Sequence, residues 1–142
     1  MFAHQTSQVC KPVSSPVGRF HHDSQLALYT SCTEEGAKVA IQRYLHADDP
    51  DRIIVSLEIN VDRIFDLRKT DHSKSASVVW QDVFARGEHS PTWKYSDAAR
   101  EAGAQGMLYS SRSRPELTHL VLFDFSEEVV KQVGVCRAWK ND

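Results

Sequence analysis

The segment "GRFHHDSQLALYTSCTEEGAKVA", Gly18 to Ala40, contains the strand-to-helix boundary that decides the fold. Its "LALYTS" stretch, Leu26 to Ser31, is short, apolar and partly alternating, which predicts a β-strand. Thr33 can cap a helix whose first turn carries Glu34 and Glu35, where carboxylates complement the helix dipole. A strand followed directly by a helix is therefore the first unit of the predicted fold.

The predicted helix is amphipathic. Its apolar residues recur at the i, i+3, i+4, i+7 and i+8 spacing of one helical face, and they are Ala37, Ala40, Ile41, Tyr44 and Leu45. We expect this face to be buried, with Ala40 pointing inward. The loop residues "HADDPD", which include Pro50, are expected to follow the end of the helix.

The rest of the chain predicts further strands and helices. "RIIVSLEINV", Arg52 to Val61, alternates as a strand, and the polar region from Arg68 to Thr92 predicts a long loop around one short helix. Ser96 is predicted to cap a helix over "DAAREA" that Gly103 closes. "GMLYSS", "LTHLVLFDF" and the tail predict three more strands. We therefore predict an α+β fold with a compact, mainly antiparallel or mixed sheet.

Length and composition narrow the class of protein. The 142 residues fit one domain with one core. Residues 1–17 are polar and contain Pro12 and Pro16, so we expect an extended N-terminal arm, with residues 18–142 as the domain. A net charge of −2 gives no general attraction to nucleic acid or to anionic membranes. No apolar stretch predicts a signal peptide or a membrane span, so a cytoplasmic location is expected.

Common site motifs are missing from the sequence. The three cysteines are far apart and show no CxxC spacing, so neither a disulfide framework nor a zinc site is expected. His21 and His22 are adjacent, and neighbours on an extended segment point to opposite faces, so they do not predict a metal site. The glycine patterns GxGxxG, GxxxxGK[ST] and GxSxG do not occur. Composition and periodicity alone therefore predict an α+β domain with a polar cleft.

Two segments taken in order, "GRFHH…LALYTS…EEGAKVA" and "SDAAREAGAQGMLYSSRSRPELTHLVLF", resemble the RES-domain family, small bacterial toxins of toxin–antitoxin modules. The similarity runs from about Gly18 to Phe125. It implies a compact fold related to ADP-ribosyltransferase toxins. It implies cleavage of NAD⁺ at the nicotinamide–ribose bond, by hydrolysis or by phosphorolysis with inorganic phosphate as co-substrate. ADP-ribosyl transfer to a protein and a non-catalytic interaction domain are the alternatives, and a protein antitoxin or immunity protein is the implied partner.

The resemblance also assigns site residues position by position. It places the family arginine at Arg19, the strand tyrosine at Tyr29 and the late serine at Ser111, while Ser110 stands where the family often has proline. Arg19 would hold a pyrophosphate through bidentate, charge-assisted hydrogen bonds. Tyr29 would cover the nicotinamide ring, and Ser111 would hydrogen-bond the ribose or the nicotinamide. His21 is expected beside the same NAD⁺ pocket, with no catalytic role.

This sequence differs from the family pattern at the glutamate. The position of that glutamate falls on Ala40, or on Gln42 if a longer spacing applies. A preorganised carboxylate stabilises the oxocarbenium-like transition state of this cleavage, and alanine cannot. Losing such a group commonly costs about 10² to 10³ in rate. Three explanations are open: an engineered replacement of glutamate, a natural variant that binds NAD⁺ or a partner without turnover, or another acid such as Glu35 in its place.

Overall fold

The computed structural model describes residues 2–5, 12–13, 16–41, 53–69, 80–133 and 137–138. The elements in chain order are β1 (Phe2–Gln5), β2 (Leu28–Ser31), α1 (Glu34–Ile41), β3 (Ile53–Ile59), β4 (Ile64–Asp66), a 3₁₀ turn (Leu67–Lys69), α2 (Trp80–Ala85), α3 (Trp93–Glu101), β5 (Gly106–Ser110), β6 (Thr118–Leu122), β7 (Val130–Gln132) and β8 (Arg137–Ala138). The predicted α+β class is confirmed.

The described strands form one eight-stranded sheet in the order β4-β5-β6-β2-β1-β3-β7, and β8 also pairs with β3. The pair β4–β5 is parallel, whereas the other described pairs are antiparallel. The sheet is therefore mixed and mainly antiparallel, as predicted. Its centre is formed by β6, β2 and β1, and the candidate tyrosine Tyr29 lies on β2.

The start of the chain differs from the prediction. Residues 2–5 were predicted to lie in an extended arm outside the domain, but they form β1, which pairs with both β2 and β3. Phe2 is opposite Ser31 on one side and Ser56 on the other. The physical reason is that β2 and β3 would otherwise each present an unpaired row of backbone groups. The first described residues therefore belong to the sheet.

Each face of the sheet has its own apolar cluster. The first face is covered by α3 and the segment before β2, and its buried cluster contains Phe20, Ala27, Leu67, Tyr95, Ala99, Met107, Tyr109 and Val121. The second face carries the buried cluster Leu28, Val55, Leu57, Leu120, Leu122, Val129 and Val130. Neighbouring residues of β2 and β6 alternate between these faces, as strand geometry requires. Tyr29 packs against the first cluster.

Helix α1 confirms its predicted start but not its predicted buried face. The Thr33 hydroxyl oxygen accepts a hydrogen bond from the Gly36 N–H at 2.9 Å, which is the expected N-cap. Gly36 and Ala37 are buried, whereas Ala40 is exposed, so the prediction that Ala40 points inward was wrong. The reason is that the helix meets the sheet through its first turn, and Ala40 lies one turn further along. The side chain of Ile41, and all of Gln42, Tyr44 and Leu45, lie outside the described residues.

Helix α3 starts earlier than predicted. It begins at Trp93, so Ser96 is an interior helical residue and not the N-cap, and its hydroxyl donates to the Trp93 carbonyl at 3.2 Å. The apolar stripe explains the difference, because Trp93, Tyr95 and Ala99 are all buried against the first face. The predicted end is confirmed, since Gly103 has a φ of +80°.

Candidate functional site

The segment 18–26, here called the arginine loop, is fixed to α3 through its backbone. Three side chains donate hydrogen bonds to three successive carbonyl oxygens of this loop: Trp93 Nε1 to Gly18 at 2.8 Å, Thr92 Oγ1 to Arg19, and Arg100 Nη1 to Phe20 at 2.9 Å. Since consecutive carbonyls are bound, the backbone on both sides of Arg19 has a set direction. The loop is therefore a rigid support for the Arg19 side chain.

The second half of the arginine loop is held by Asp97 of α3. Its carboxylate accepts hydrogen bonds from His22 Nε2 at 2.8 Å and from Gln25 Nε2 at 2.7 Å, and the His22 ring stacks on Trp93 with 4.5 Å between centroids. Burial alone would lower the pKa of His22, but its hydrogen bonds to Asp97 and Asp23 outweigh burial and raise it above 6.5. This contact is therefore strongest when His22 is protonated.

The Tyr29 hydroxyl joins β2 to the arginine loop. It accepts a hydrogen bond from the Phe20 N–H at 2.9 Å and hydrogen-bonds Nδ1 of the buried His21 at 2.7 Å. Burial raises the pKa of Tyr29, and the Phe20 N–H acts in the opposite direction with a smaller effect. Tyr29 is therefore neutral at physiological pH, and its hydroxyl is committed to positioning the loop. The His21 ring is thus in direct hydrogen-bond contact with the Tyr29 hydroxyl.

The guanidinium of Arg19 lies on two aromatic rings. Its Cζ is 5.0 Å from the ring centroid of Phe20 and 5.0 Å from that of Tyr109, and these two rings contact each other edge to face at 4.7 Å. Burial raises the pKa of Tyr109 to about 12, and the charge of Arg19 opposes this rise. A cation over aromatic faces is stabilised without losing its hydrogen-bond donors. Arg19 is thus a positioned cation in a partly dry environment.

His119 of β6 extends this polar group. Its Nδ1 is 2.6 Å from the Ser31 hydroxyl oxygen, and its ring centroid is 5.3 Å from that of Tyr109. Burial lowers the pKa of His119 to about 4, and the charge of Arg19 adds to the effect, so the ring is neutral at pH 7. The name arginine cluster is used below for Arg19, Tyr29, Ser31, Tyr109 and His119.

Ser111 directly follows β5 and is two residues beyond Tyr109. Strand alternation puts it on the side of the sheet that carries Tyr109, whereas Ser110 is on the other side, which favours Ser111 as the site serine. Its hydroxyl oxygen accepts from the Arg114 N–H at 3.2 Å. In the described part of the chain its hydroxyl hydrogen has no acceptor, so Ser111 can still donate to a ligand.

Position 40 and Glu35 lie on different parts of α1. The Glu35 carboxylate pairs with Arg114 Nη1 at 2.9 Å, and Arg114 also pairs with Glu116. A Cβ added to Gly36 would be 3.1 Å from Cβ of Ser31. Residues four apart share a side of a helix, so Ala40 projects from nearly the same side as Gly36, one turn beyond Ser31. Glu35 is thus engaged in an ion pair with Arg114, whereas position 40 lies one turn beyond the contact between Gly36 and Ser31.

The sequence model of the RES domain matches residues 3–140, which is almost the whole chain. The chain belongs to the RES-domain family. At the level of the family, RES domains have a toxin-like role in NAD-related enzyme chemistry. The match begins within β1, in agreement with the place of that strand in the sheet. A comparison with curated proteins found no match.

Several residues of this candidate site were not predicted from the sequence. Among them are Ser31, Asp97, Arg100, Tyr109 and His119. Two signals were present: alternation puts Tyr109 on the side of Ser111, and His119 is a polar residue within the apolar strand "LTHLVLF". No sequence signal connects Asp97 or Arg100 to the arginine loop, because those contacts join distant parts of the chain.

In the described ranges of this RES domain, no group of three or more His, Cys, Asp or Glu residues is arranged to hold a metal ion. Within the same ranges, no helix has both the length and the apolar character needed to span a bilayer.

We expect His119 to make the folded domain less stable in mild acid. Its pKa is about 4 when folded and 6.5 in the unfolded chain, so between these values the unfolded chain binds a proton that the folded protein excludes. The stabilising effect is complete above pH 6.5 and is lost as the pH falls toward 4. The free energy of unfolding should drop by about 3 kcal/mol across this range, as measured by urea denaturation.

The matching variant is His119→Asn, which removes the buried titrating ring and should flatten this part of the stability profile. Parallel profiles for the variant and the unchanged chain would contradict the depressed pKa of His119.

Proposed function

We propose that this RES domain binds NAD⁺ at the arginine cluster, and that the nicotinamide–ribose bond is cleaved there when position 40 carries a carboxylate. The observation that supports the proposal most directly is the geometry of Arg19. Its guanidinium rests on Phe20 and Tyr109, and the carbonyls around it are bound by α3. Arg19 is therefore a cation held ready to bind an anion, and it lies in a loop that cannot easily rearrange.

The pyrophosphate of NAD⁺ is the group that suits Arg19. A planar guanidinium binds phosphate oxygens through two parallel, charge-assisted hydrogen bonds. Because the aromatic platform excludes water on one side, the attraction is stronger than at a fully solvated arginine. Preorganisation by Thr92, Trp93 and Arg100 means that little conformational entropy is lost on binding.

The other site residues have distinct proposed roles. The Tyr29 hydroxyl is already bonded to Phe20 and His21, so Tyr29 contributes its ring as an apolar surface for nicotinamide, and not an acid or base. Ser111 donates its hydroxyl hydrogen to the ribose or the carboxamide. His21 positions Tyr29. The ligand thus extends from Arg19 toward Ser111 along the first face of the sheet.

The reaction breaks the bond between ribose C1 and the nicotinamide nitrogen. The electron pair leaves with neutral nicotinamide, and the ribose gains oxocarbenium character. An oxygen of water or of hydrogen phosphate forms the new bond to C1, and its proton is released to solvent. A carboxylate at position 40 would stabilise the positive ribose. The chain with Ala40 lacks that group, so we propose that it binds NAD⁺ and turns it over slowly at most. A protein antitoxin or immunity protein is the proposed partner, and its binding should lower the affinity for NAD⁺.

The binding step is tested with Arg19→Lys. Lysine keeps the charge but lacks the planar fork, so we expect the NAD⁺ dissociation constant to rise about 10- to 100-fold, measured by isothermal titration calorimetry. Arg63→Lys is the matched control, because Arg63 is exposed and lies away from the site. Arg63 precedes β4, and Ile64 of β4 pairs with Gly106, which is at the opposite end of β5 from Tyr109. Equal affinities for the two variants, or no NAD⁺ binding by the unchanged chain, would contradict the proposed function. The cleavage step is tested by Ala40→Glu.

A further inference from the structure

We propose that Nε2–H of His119 is a second phosphate-binding donor, which acts with Arg19 on the same phosphate group of the ligand. The inference rests on the proposed NAD⁺ site and adds a residue to it. It comes from three observations. His119 is hydrogen-bonded to Ser31, His119 and Arg19 both lie against the Tyr109 ring, and Nδ1 of His119 has a partner in the described residues whereas Nε2 has none.

The partner of Ser31 fixes which nitrogen of His119 carries the hydrogen. In the described residues, His119 Nδ1 is the only hydrogen-bond partner of the buried Ser31 hydroxyl. If Nδ1 carried the hydrogen, the Ser31 hydroxyl hydrogen would be buried without an acceptor, which is costly. Ser31 therefore donates to Nδ1, and a neutral imidazole in this state carries its hydrogen on Nε2.

The Nε2–H group is left to a ligand. Within the part of the chain that the structure describes, the His119 ring makes one hydrogen bond, through Nδ1, and Nε2 is not among the buried polar atoms that lack a partner. Nε2 is thus not fully enclosed by protein. A donor at the edge of a mostly buried ring needs an acceptor, and the described residues supply none.

The position of His119 indicates the class of acceptor. Arg19 and His119 both contact the Tyr109 ring, at 5.0 Å from Cζ and 5.3 Å between centroids. The charge of Arg19 also acts on the His119 ring, so the two groups are near each other, and the proposal places an anion bound to the guanidinium within reach of Nε2–H. A neutral donor strengthens the hold on that anion without the repulsion that a second cation would add beside Arg19. We infer that the shared ligand atom is a phosphate oxygen.

Phosphate oxygens could come from two sources, the pyrophosphate of a dinucleotide or inorganic phosphate. ADP-ribose contains the pyrophosphate but no scissile nicotinamide bond, so its binding does not depend on turnover. Nicotinamide contains neither phosphate nor ribose. These three probes distinguish the pyrophosphate, a free phosphate and the base end of the substrate.

The unchanged chain provides the first test. Nitrogen-15 NMR of the histidine side chains distinguishes protonated from unprotonated ring nitrogens, and at pH 7 we expect His119 to be the Nε2–H form. Adding ADP-ribose should shift the His119 Nε2 resonance, and nicotinamide should not. A shift with inorganic phosphate alone would assign the site to free phosphate. A hydrogen on Nδ1, or no shift with either phosphate ligand, would overturn the inference.

Two replacements at position 119 separate the two nitrogens. Asparagine puts a polar group near Nδ1 and keeps a partner for Ser31, but it has no donor at Nε2, so His119→Asn should weaken ADP-ribose binding about 10-fold. Glutamine extends its amide toward the Nε2 position, so His119→Gln should retain most of the affinity. A merely structural role for His119 predicts the opposite order, with asparagine better tolerated.

The adjacent residue of β2 supplies the matched control. Thr30 donates to the Leu120 carbonyl at 3.0 Å on the opposite face of the strand from Ser31. Ser31→Ala and Thr30→Val each remove one buried hydroxyl, so both should lower stability, but only Ser31→Ala should weaken ADP-ribose binding, about 3- to 10-fold. Equal affinities for these two variants would overturn the role of Ser31.

Failure of this inference can be told apart from failure of the proposed function. If the unchanged chain binds ADP-ribose and Arg19→Lys weakens it, while His119→Asn does not, the NAD⁺ site stands and His119 is not part of it. If the unchanged chain binds neither NAD⁺ nor ADP-ribose, both proposals are wrong.

Discussion

Replacing Ala40 with glutamate should raise the rate of NAD⁺ consumption by at least about 100-fold. The reason is electrostatic, because a carboxylate aligned with the ribose stabilises the positive charge that develops as nicotinamide leaves. Ala40 is exposed and lies one turn beyond Gly36, whose backbone approaches Ser31, so a longer side chain can be accommodated there without repacking the core. The measurement is NAD⁺ loss and nicotinamide release by chromatography.

Two variants are controls for Ala40→Glu. Ala40→Gln has the same size without the charge, and it should remain close to the unchanged chain. Ala98→Glu adds a carboxylate at an exposed alanine of α3, and it should also have no effect. Equal activity in the glutamate and glutamine variants at position 40 would show that the carboxylate is not the missing catalytic group.

The same assay separates the reaction types. Dependence of NAD⁺ loss on inorganic phosphate would indicate phosphorolysis, whereas ADP-ribose as product in the absence of phosphate would indicate hydrolysis. Transfer of labelled ADP-ribose to a protein would favour the transferase alternative. If Ala40→Glu is folded and binds NAD⁺ but consumes none, the domain is a non-catalytic NAD⁺-binding module.

Replacing Gly18 with alanine should disrupt the site through a steric clash. A Cβ at Gly18 would be 2.3 Å from Cε1 and 2.6 Å from Nδ1 of His21, and 2.8 Å from the Tyr29 hydroxyl oxygen. His21 is buried and cannot move aside freely. We therefore expect a loss of about 1–3 kcal/mol in the free energy of unfolding, measured by urea denaturation. The displaced arginine loop should also weaken NAD⁺ binding at least about 10-fold.

Gly87→Ala is the comparison for Gly18→Ala. Gly87 has a φ of +78° and nothing within 4 Å of an added Cβ, so alanine is strained there by its backbone and not by a clash. It should lower stability by about 1 kcal/mol and leave the affinity for NAD⁺ unchanged. Normal NAD⁺ binding by Gly18→Ala would show that the contact between His21 and Tyr29 does not support the site.

The sequence by itself determined the elements that depend on near neighbours. The strand Leu28–Ser31 within "LALYTS", the cap from Thr33, the strand before Ser111 and the helix end at Gly103 follow from alternation, hydrogen bonds within one turn, and the positive φ that glycine accepts. Motif similarity predicts Arg19, Tyr29 and Ser111 as site residues. These signals involve residues that are close together in the sequence, so they can be recognised without knowledge of the fold.

Only the tertiary structure decided how those residues are held. The bonds from Thr92 and Arg100 to the arginine loop join residues 73 and 80 positions apart, and the bond between Ser31 and His119 spans 88. The exposure of Ala40 and the place of β1 in the sheet were also decided at this level. Such contacts depend on where packed backbones bring distant side chains, and neither propensity nor periodicity contains that information.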